Sequence, residues 1–266
     1  MRKTLLTYFF CLNLFLSSFV FSTNIIVPGS LTHENNVTPK QIIQGTIPIQ
    51  NTGDEIASVQ ITLTDYSFNA NGESFFPDKG TLARSNASWI STDKMQFNIA
   101  PHSTYSFPYS LQVPEDTSLA GSFWSIFLVE SVAQKLSTPD LDKSLGVQTI
   151  IRYGVQVITH IENKGSYELK ILDKKITKEA EKRIFFLSVE NPGTLMQTPS
   201  LFLELVDQKG KKIERLEAYK QRILPNCSVT YQIDLSNIPI GTYKAMAILD
   251  HGGNSLFGAK YDLKID

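Results

Sequence analysis

Four histidines, at 33, 102, 160 and 251, are the side chains of this 266-residue chain best suited to hold a metal or move a proton. Their spacing suits neither task. A metal centre needs three or four ligands converging from one face, and none of the four stands at ligand spacing from another histidine, a cysteine or a carboxylate. The carboxylate pairs Asp54-Glu55 and Glu115-Asp116 are adjacent in turn-like sequence and face solvent, without the burial that tunes one member for acid-base work. No serine sits in a G-x-S-x-G elbow, and no glycine-rich loop leads from a strand into a helix. Asp250-His251-Gly252-Gly253-Asn254 lies between two apolar alternating runs and reads as a hairpin turn. Cys227 shares parity with Val229, Tyr231, Ile233 and Leu235, which makes it a buried small hydrophobe rather than a nucleophile. The reading is non-enzymatic, with no cofactor and no metal, and the chemistry left to this chain is recognition.

The elements that would position a recognition surface are strands. Apolar residues alternate with period two over most of the chain, and no long amphipathic helix is visible. The phrase Ile47-Pro48-Ile49-Gln50-Asn51-Thr52-Gly53, restarting at Val59, Ile61 and Leu63 up to Asp65, returns as Leu187-Ser188-Val189-Glu190-Asn191-Pro192-Gly193, restarting at Leu201, Leu203 and Leu205 up to Asp207. Ile99-Ala100-Pro101 is likewise answered by Ile223-Leu224-Pro225, and Gly121-Ser122-Phe123-Trp124 by Gly241-Thr242-Tyr243. A repeat this long describes two related domains rather than a solenoid unit. The fold class expected is all-β, two tandem immunoglobulin-like β-sandwich domains of about seven short strands each. Strands are expected near 25–27, 41–49, 58–65, Trp89, 96–99, 106–113, 122–132 and 147–159. A second set is expected near 167–177, 183–190, 200–206, 213–217, 229–235, 241–249 and 259–265. The domains then span 23–161 and 167–266, joined by the short linker 162–166. Trp89 and Trp124 are assigned to the cores. The longest loop candidate is 133–146, which reads equally as a functional excursion or a tolerated insertion.

Arg2 and Lys3 precede an apolar run over 5–20 and small residues near Ser22, the pattern of a cleaved secretory signal peptide covering 1–22; retention as a short anchor is the alternative. No other segment is apolar enough to span a bilayer. Cleavage leaves Cys227 alone, so no internal disulfide forms and the cores must hold the fold. Between Thr23 and His160 seven Lys/Arg oppose twelve Asp/Glu, net −5; from Ile161 onward sixteen oppose fourteen, net +2. Nothing in that balance or in the motifs indicates nucleic-acid binding.

Arg84-Ser85-Asn86-Ala87-Ser88-Trp89-Ile90, then Phe97-x-Ile99-x-Pro101, Val113-Pro114 and the run from Gly121 to Glu130, resemble the periplasmic pilus-assembly chaperones, in particular their divergent bacterial relatives. The resemblance covers most of the mature chain. It implies two immunoglobulin-like domains set at an angle, a long loop at 133–146 and a last first-domain strand at 147–159 that lends apolar side chains to an incomplete subunit sandwich. On this strand Val147, Ile151, Tyr153, Val155 and Val157 share one face, expected to be core. Gln148, Ile150, Arg152, Gly154, Gln156 and Ile158 share the other, so Ile150, Arg152, Gly154 and Ile158 are the expected client-binding residues. The family also grips the client's C-terminal carboxylate with a basic pair in the interdomain cleft. Arg152 is the candidate carboxylate anchor, with pairing to a neighbouring carboxylate as its alternative. Residues 23–39 contain no Lys or Arg to supply the second cation. What the resemblance implies is a periplasmic binding protein for a pilus or surface subunit, with an outer-membrane usher as a further partner. The rival reading is a structural or adhesive module of the cell envelope with complete sandwiches.

Overall fold

Period-two alternation becomes strand through most of the chain in the computed structural model, which describes residues 25–132, 151–162, 164–180, 182–252 and 256–266. The first sandwich comprises Ile25–Ile26 (β1), Thr32–Val37 (β2), Ile42–Asn51 (β3), Ala57–Thr64 (β4), Ser67–Phe68 (β5), Ser74–Phe75 (β6), Ile90–Ser91 (β7), Gln96–Ile99 (β8), Thr104–Gln112 (β9), Gly121–Ser131 (β10) and Arg152–Ile161 (β11). One sheet runs β1-β3-β9-β7 and faces a second, β2-β11-β10-β4-β8, while β5 and β6 form a separate hairpin. The second sandwich comprises Lys170–Glu179 (β12), Lys182–Glu190 (β13), Ser200–Val206 (β14), Lys212–Glu217 (β15), Ser228–Asp234 (β16), Gly241–Asp250 (β17) and Leu256–Ile265 (β18). Its sheets are β12-β13-β16 and β15-β14-β17-β18. Among the named strands both units are antiparallel immunoglobulin-like sandwiches except at the seam where β2 pairs with β11 in parallel. No helix among the described residues is long and apolar enough to cross a membrane.

That seam exists because the N-terminal strand changes sheets. Ile25 and Ile26 pair with Asn51 and Gln50 of β3. The chain then turns through Val27-Pro28-Gly29, where Gly29 takes φ +90°, a conformation glycine adopts without strain. It continues as β2 beside β11. The sequence THENNV of β2 carries no apolar alternation and was not among the expected strands; its ladder to β11, rather than side-chain burial, holds it in the sheet.

β10, GSFWSIFLVES, is buried on both faces from Gly121 to Val129. Phe123, Phe127 and Val129 point into the first core, alongside Val155 and Val157 of β11. Trp124 points the opposite way and joins Ile158 with Leu224 and Cys227 of the second sandwich in a separate apolar cluster. Each large side chain removed from water there contributes roughly 1.5–3 kcal/mol. The expectation for Trp124 is thereby corrected: it fills the joint between the sandwiches, and its indole N–H donates to Tyr66 O at 2.6 Å. Trp89 closes a short 3₁₀ turn, Ala87–Trp89, instead of lying in a strand, because its N–H bonds back to Asn86 O at 3.0 Å. Its ring packs on Phe123 at 4.9 Å between centroids. Cys227 is buried as expected, in the joint cluster.

The joint is also a main-chain seam. Gly121 N donates to Lys164 O of the linker at 2.6 Å, Ser122 N to Thr194 O at 2.8 Å, and Met196 N to Ser122 Oγ at 2.8 Å. Gly121 has φ +90°, and a Cβ there would stand 2.2 Å from Thr194 O, so the close approach depends on glycine. The leader and the loop 133–146 lie outside the described residues.

Candidate functional site

The strand expected to carry the site is only partly an edge. β11 pairs with β10 along its whole length, from Glu130↔Arg152 to Gly121↔Ile161. On its other side β2 covers Gln156 to Ile161, beginning where Gln156 N donates to Leu31 O at 2.9 Å. Since Gln156 N–H points toward β2, the main-chain groups of Gly154 and Arg152, two and four residues back, point the same way. There they meet no strand among the described residues. Among the described residues the open part of the edge is therefore Arg152 to Val155, where the outward donors and acceptors are those of Arg152 and Gly154.

Three of the four expected client-binding residues lie among the described residues. Ile150 falls outside the described residues. Ile158 is fully buried in the joint cluster, so it offers no side chain to a client; a second domain covers the face that a single sandwich would have left open. Arg152 is not free: its Nε and Nη2 donate to Glu130 Oε2 at 2.8 and 2.7 Å, the cross-strand partner that register puts opposite it. Gly154 lies against Ile126, whose Cδ1 would be 2.7 Å from a Cβ added there. On the opposite face Val155 and Val157 are core, while Ile151 is exposed.

Below the open edge, the two sandwiches enclose a groove of about 720 Å³. Tyr66, Phe68 and Gln156 line it from the first sandwich and Gln221, Arg222 and Thr230 from the second. Arg222 was not singled out from the sequence. Its Nη1 and Nη2 both reach Thr32 Oγ1 at 3.3 Å, and no carboxylate among the described residues lies within ion-pairing distance. Gln156 presents a buried Oε1 with no hydrogen-bond partner. A guanidinium with spare donors suits a ligand carrying a carbonyl or carboxylate. Arg84, at the joint, is a second half-buried cation; Nη1 donates to Ala120 O at 3.1 Å, and burial lowers its pKa.

The histidines serve structure. His160 Nδ1 lies 2.8 Å from Ser122 Oγ and its Nε2 3.0 Å from Glu34 Oε1. This is the outline of a catalytic triad, yet Ser122 has no exposed surface and its Oγ already accepts Met196 N–H. With the proton on Nε2, the ring donates to Glu34 and accepts from Ser122 at Nδ1. His33 Nδ1 meets Tyr109 OH at 2.7 Å, where burial lowers the His33 pKa and raises that of Tyr109 to about 12. His102 pairs with Asp54 in solvent at 2.9 Å, and His251 stacks on Tyr167 at 4.7 Å. Among the described residues no three or more His, Cys, Asp or Glu gather as a metal site.

No family model and no curated protein matches the sequence. Among solved structures the chain is similar to the class 5 fimbriae chaperone CfaA, with TM-score 0.45, 13% identity and coverage of 91% of this chain and 100% of that one. It is similar to the E. coli chaperone DraB, with TM-score 0.41, 14% identity and coverage of 92% and 98%. It is also similar to a chain of the Salmonella enterica SafA pilin in complex with the SafB chaperone, with TM-score 0.41, 12% identity and coverage of 92% and 97%.

Proposed function

We propose that this chain is an exported, non-enzymatic binding protein that holds an incomplete β-sandwich client by strand addition at Arg152 to Val155. The observation that carries the reading is the open main-chain edge at Arg152 to Val155, set against two of the four outer strands of the second sandwich. β12 and β18, outer strands of the second sandwich, bear Lys170, Lys174, Lys175, Lys178, Lys260 and Lys264, and β12 contains a bulge between Ile171 and Asp173. Lysines and bulges are how sheets discourage a further strand. The open stretch of β11 has no lysine and no bulge, and Gln156, the next residue along, lines the groove that also holds the Arg222 guanidinium. Main-chain bonds to Arg152 and Gly154 would supply affinity, while Arg222, rather than the ion-paired Arg152, takes the part of cleft cation. The compartment is the periplasm and the client a pilus or surface subunit, with an outer-membrane usher as the further partner.

A structural or adhesive envelope module is the second reading, favoured by the burial of Ile158 and by the β2 ladder, which complete the sandwich over half the expected donor strand. Gly154→Pro separates the two. It deletes an outward N–H rather than one of the ladder to β10, and its Cβ meets the side-chain end of Ile126. In periplasmic affinity capture, the wild type should retain a small β-rich protein that Gly154→Pro loses while its thermal unfolding stays cooperative. Equal capture by both forms, or by neither, would sink the strand-addition reading.

A further inference from the structure

One wall of the groove is an element with no counterpart in the second sandwich. After β14 the chain turns back within Asp207 to Lys211, closed by Asp207 N to Lys211 O at 2.9 Å. At the matching point after β4, the first sandwich instead extends the hairpin β5–β6, paired Ser67↔Phe75 and Phe68↔Ser74. Its turn is fixed by Asn69, whose Oδ1 accepts Asn71 N at 2.9 Å and whose C=O accepts Gly72 N at 3.0 Å.

The hairpin tip is bound by the other domain. Ala70 N donates to Ser228 Oγ at 2.9 Å, and Thr230 Oγ1 donates to Ala70 O at 2.8 Å, so both main-chain groups of one residue are held by hydroxyls of β16. Ser67 Oγ lies 3.7 Å from Cys227 Sγ. Phe68 packs against the core of the second sandwich and against the joint cluster. The hairpin thus starts in one sandwich, is bonded to the other, and lines the groove between them through Phe68, Asn69, Ala70, Asn71, Gly72 and Ser74.

We propose that this hairpin is a brace, with Phe68 and Ala70 as positioning residues. It holds the two sandwiches at one angle, and so keeps the groove at the width in which Gln156 and Arg222 face its interior before any client arrives. Paired domains ordinarily move relative to one another unless their interface is large and apolar, and a site ordered in advance does not spend binding energy on ordering. The part about client capture rests on the function proposed above; the part about the angle does not.

The test uses the exported chain with Ser228→Ala and Thr230→Val together, which remove both hydroxyls that grip Ala70. Ser188→Ala is the control, since Thr230 Oγ1 also meets Ser188 Oγ at 2.8 Å. Residual dipolar couplings read the alignment of each sandwich without any client. We expect equal alignment magnitudes in the wild type and in Ser188→Ala, and unequal ones in the double variant. If only about a tenth of the double variant is in the binding angle, client affinity falls about tenfold. Ser67→Cys, oxidised with glutathione disulfide to bridge Cys227, should restore both readouts when added to the double variant. Equal alignment magnitudes in the double variant would overturn the brace, as would loss of capture on bridging, which would make the hairpin a gate that must open. A wild type that captures no client would defeat the function proposed above and leave the alignment test standing.

Discussion

Asn51 and Asn191 occupy the same corner of two sandwiches and do the same internal work. Asn51 Nδ2 donates to Glu55 O, Ile99 O and Ala100 O at 2.7 to 3.2 Å, while its Oδ1 accepts Gly53 N at 3.0 Å. Asn191 Nδ2 donates to Leu195 O and Ile223 O at 2.8 and 2.9 Å, and its Oδ1 accepts Gly193 N at 3.0 Å. Both side chains are fully buried. Beyond that, the corners diverge. The first ends in solvent, with Asp54 and His102 paired on its outside. The second is wedged into the joint, where Thr194 O takes Ser122 N–H and a Cβ on Gly193 would stand 2.6 Å from Ser166 O. A repeated phrase therefore records how a corner closes upon itself, and the surroundings decide whether its outer surface becomes an interface.

The largest expected effect tests that division directly. Asn51→Ala and Asn191→Ala each strand buried carbonyls and should each cost about 1–3 kcal/mol per unsatisfied group. Only Asn191→Ala should also loosen the joint. Trp124 fluorescence should report that loosening in urea before global unfolding, and an identical Trp124 signal in both variants would break the comparison.

A middle-sized effect concerns acid. Each sandwich buries a tyrosine whose hydroxyl needs a partner. Tyr231 donates to Pro199 O at 3.1 Å, whereas Tyr109 faces the titratable His33. Burial lowers the folded-state pKa of His33, so neutral histidine favours the folded state. That contribution is present above the unfolded pKa of about 6.5 and is lost as pH falls through the depressed value. Calorimetry should show the first sandwich losing stability over this window, with His33→Gln flattening the dependence. An unchanged profile would remove His33 from the account.

The smallest effect belongs to the solvent-facing corner. Asp54→Asn breaks an exposed pair with His102, and its thermal shift should correspond to no more than about 1 kcal/mol. A larger change would mean that the free corner is bound to something after all.

Much of the architecture was legible because alternation and turn chemistry are local. The longer strands of both sandwiches except β2, the two Asn-x-Gly corners and the buried Cys227 follow from residues a few positions apart. What escaped depends on distant neighbours. β2 has no apolar alternation to announce it, since a parallel ladder with β11 holds it. Ile158 was assigned outward because strand parity describes one sandwich, and the second sandwich covers that face. That Arg152 pairs with a carboxylate was the alternative open in the sequence; which carboxylate, Glu130, depends on strand register across 22 positions. Arg222 gave no signal within its own strand-poor segment; only the joint brings it opposite Thr32 and Gln156.

The double burial of β10 has a consequence for the order of assembly. A first sandwich that closes before Leu224 and Cys227 dock would leave Trp124 and Ile158 uncovered. In that state it would carry an exposed indole, an exposed isoleucine and the uncovered Phe68, and would be at its most adhesive. Completion of the second sandwich thus makes the first one safe as well as finishing the fold.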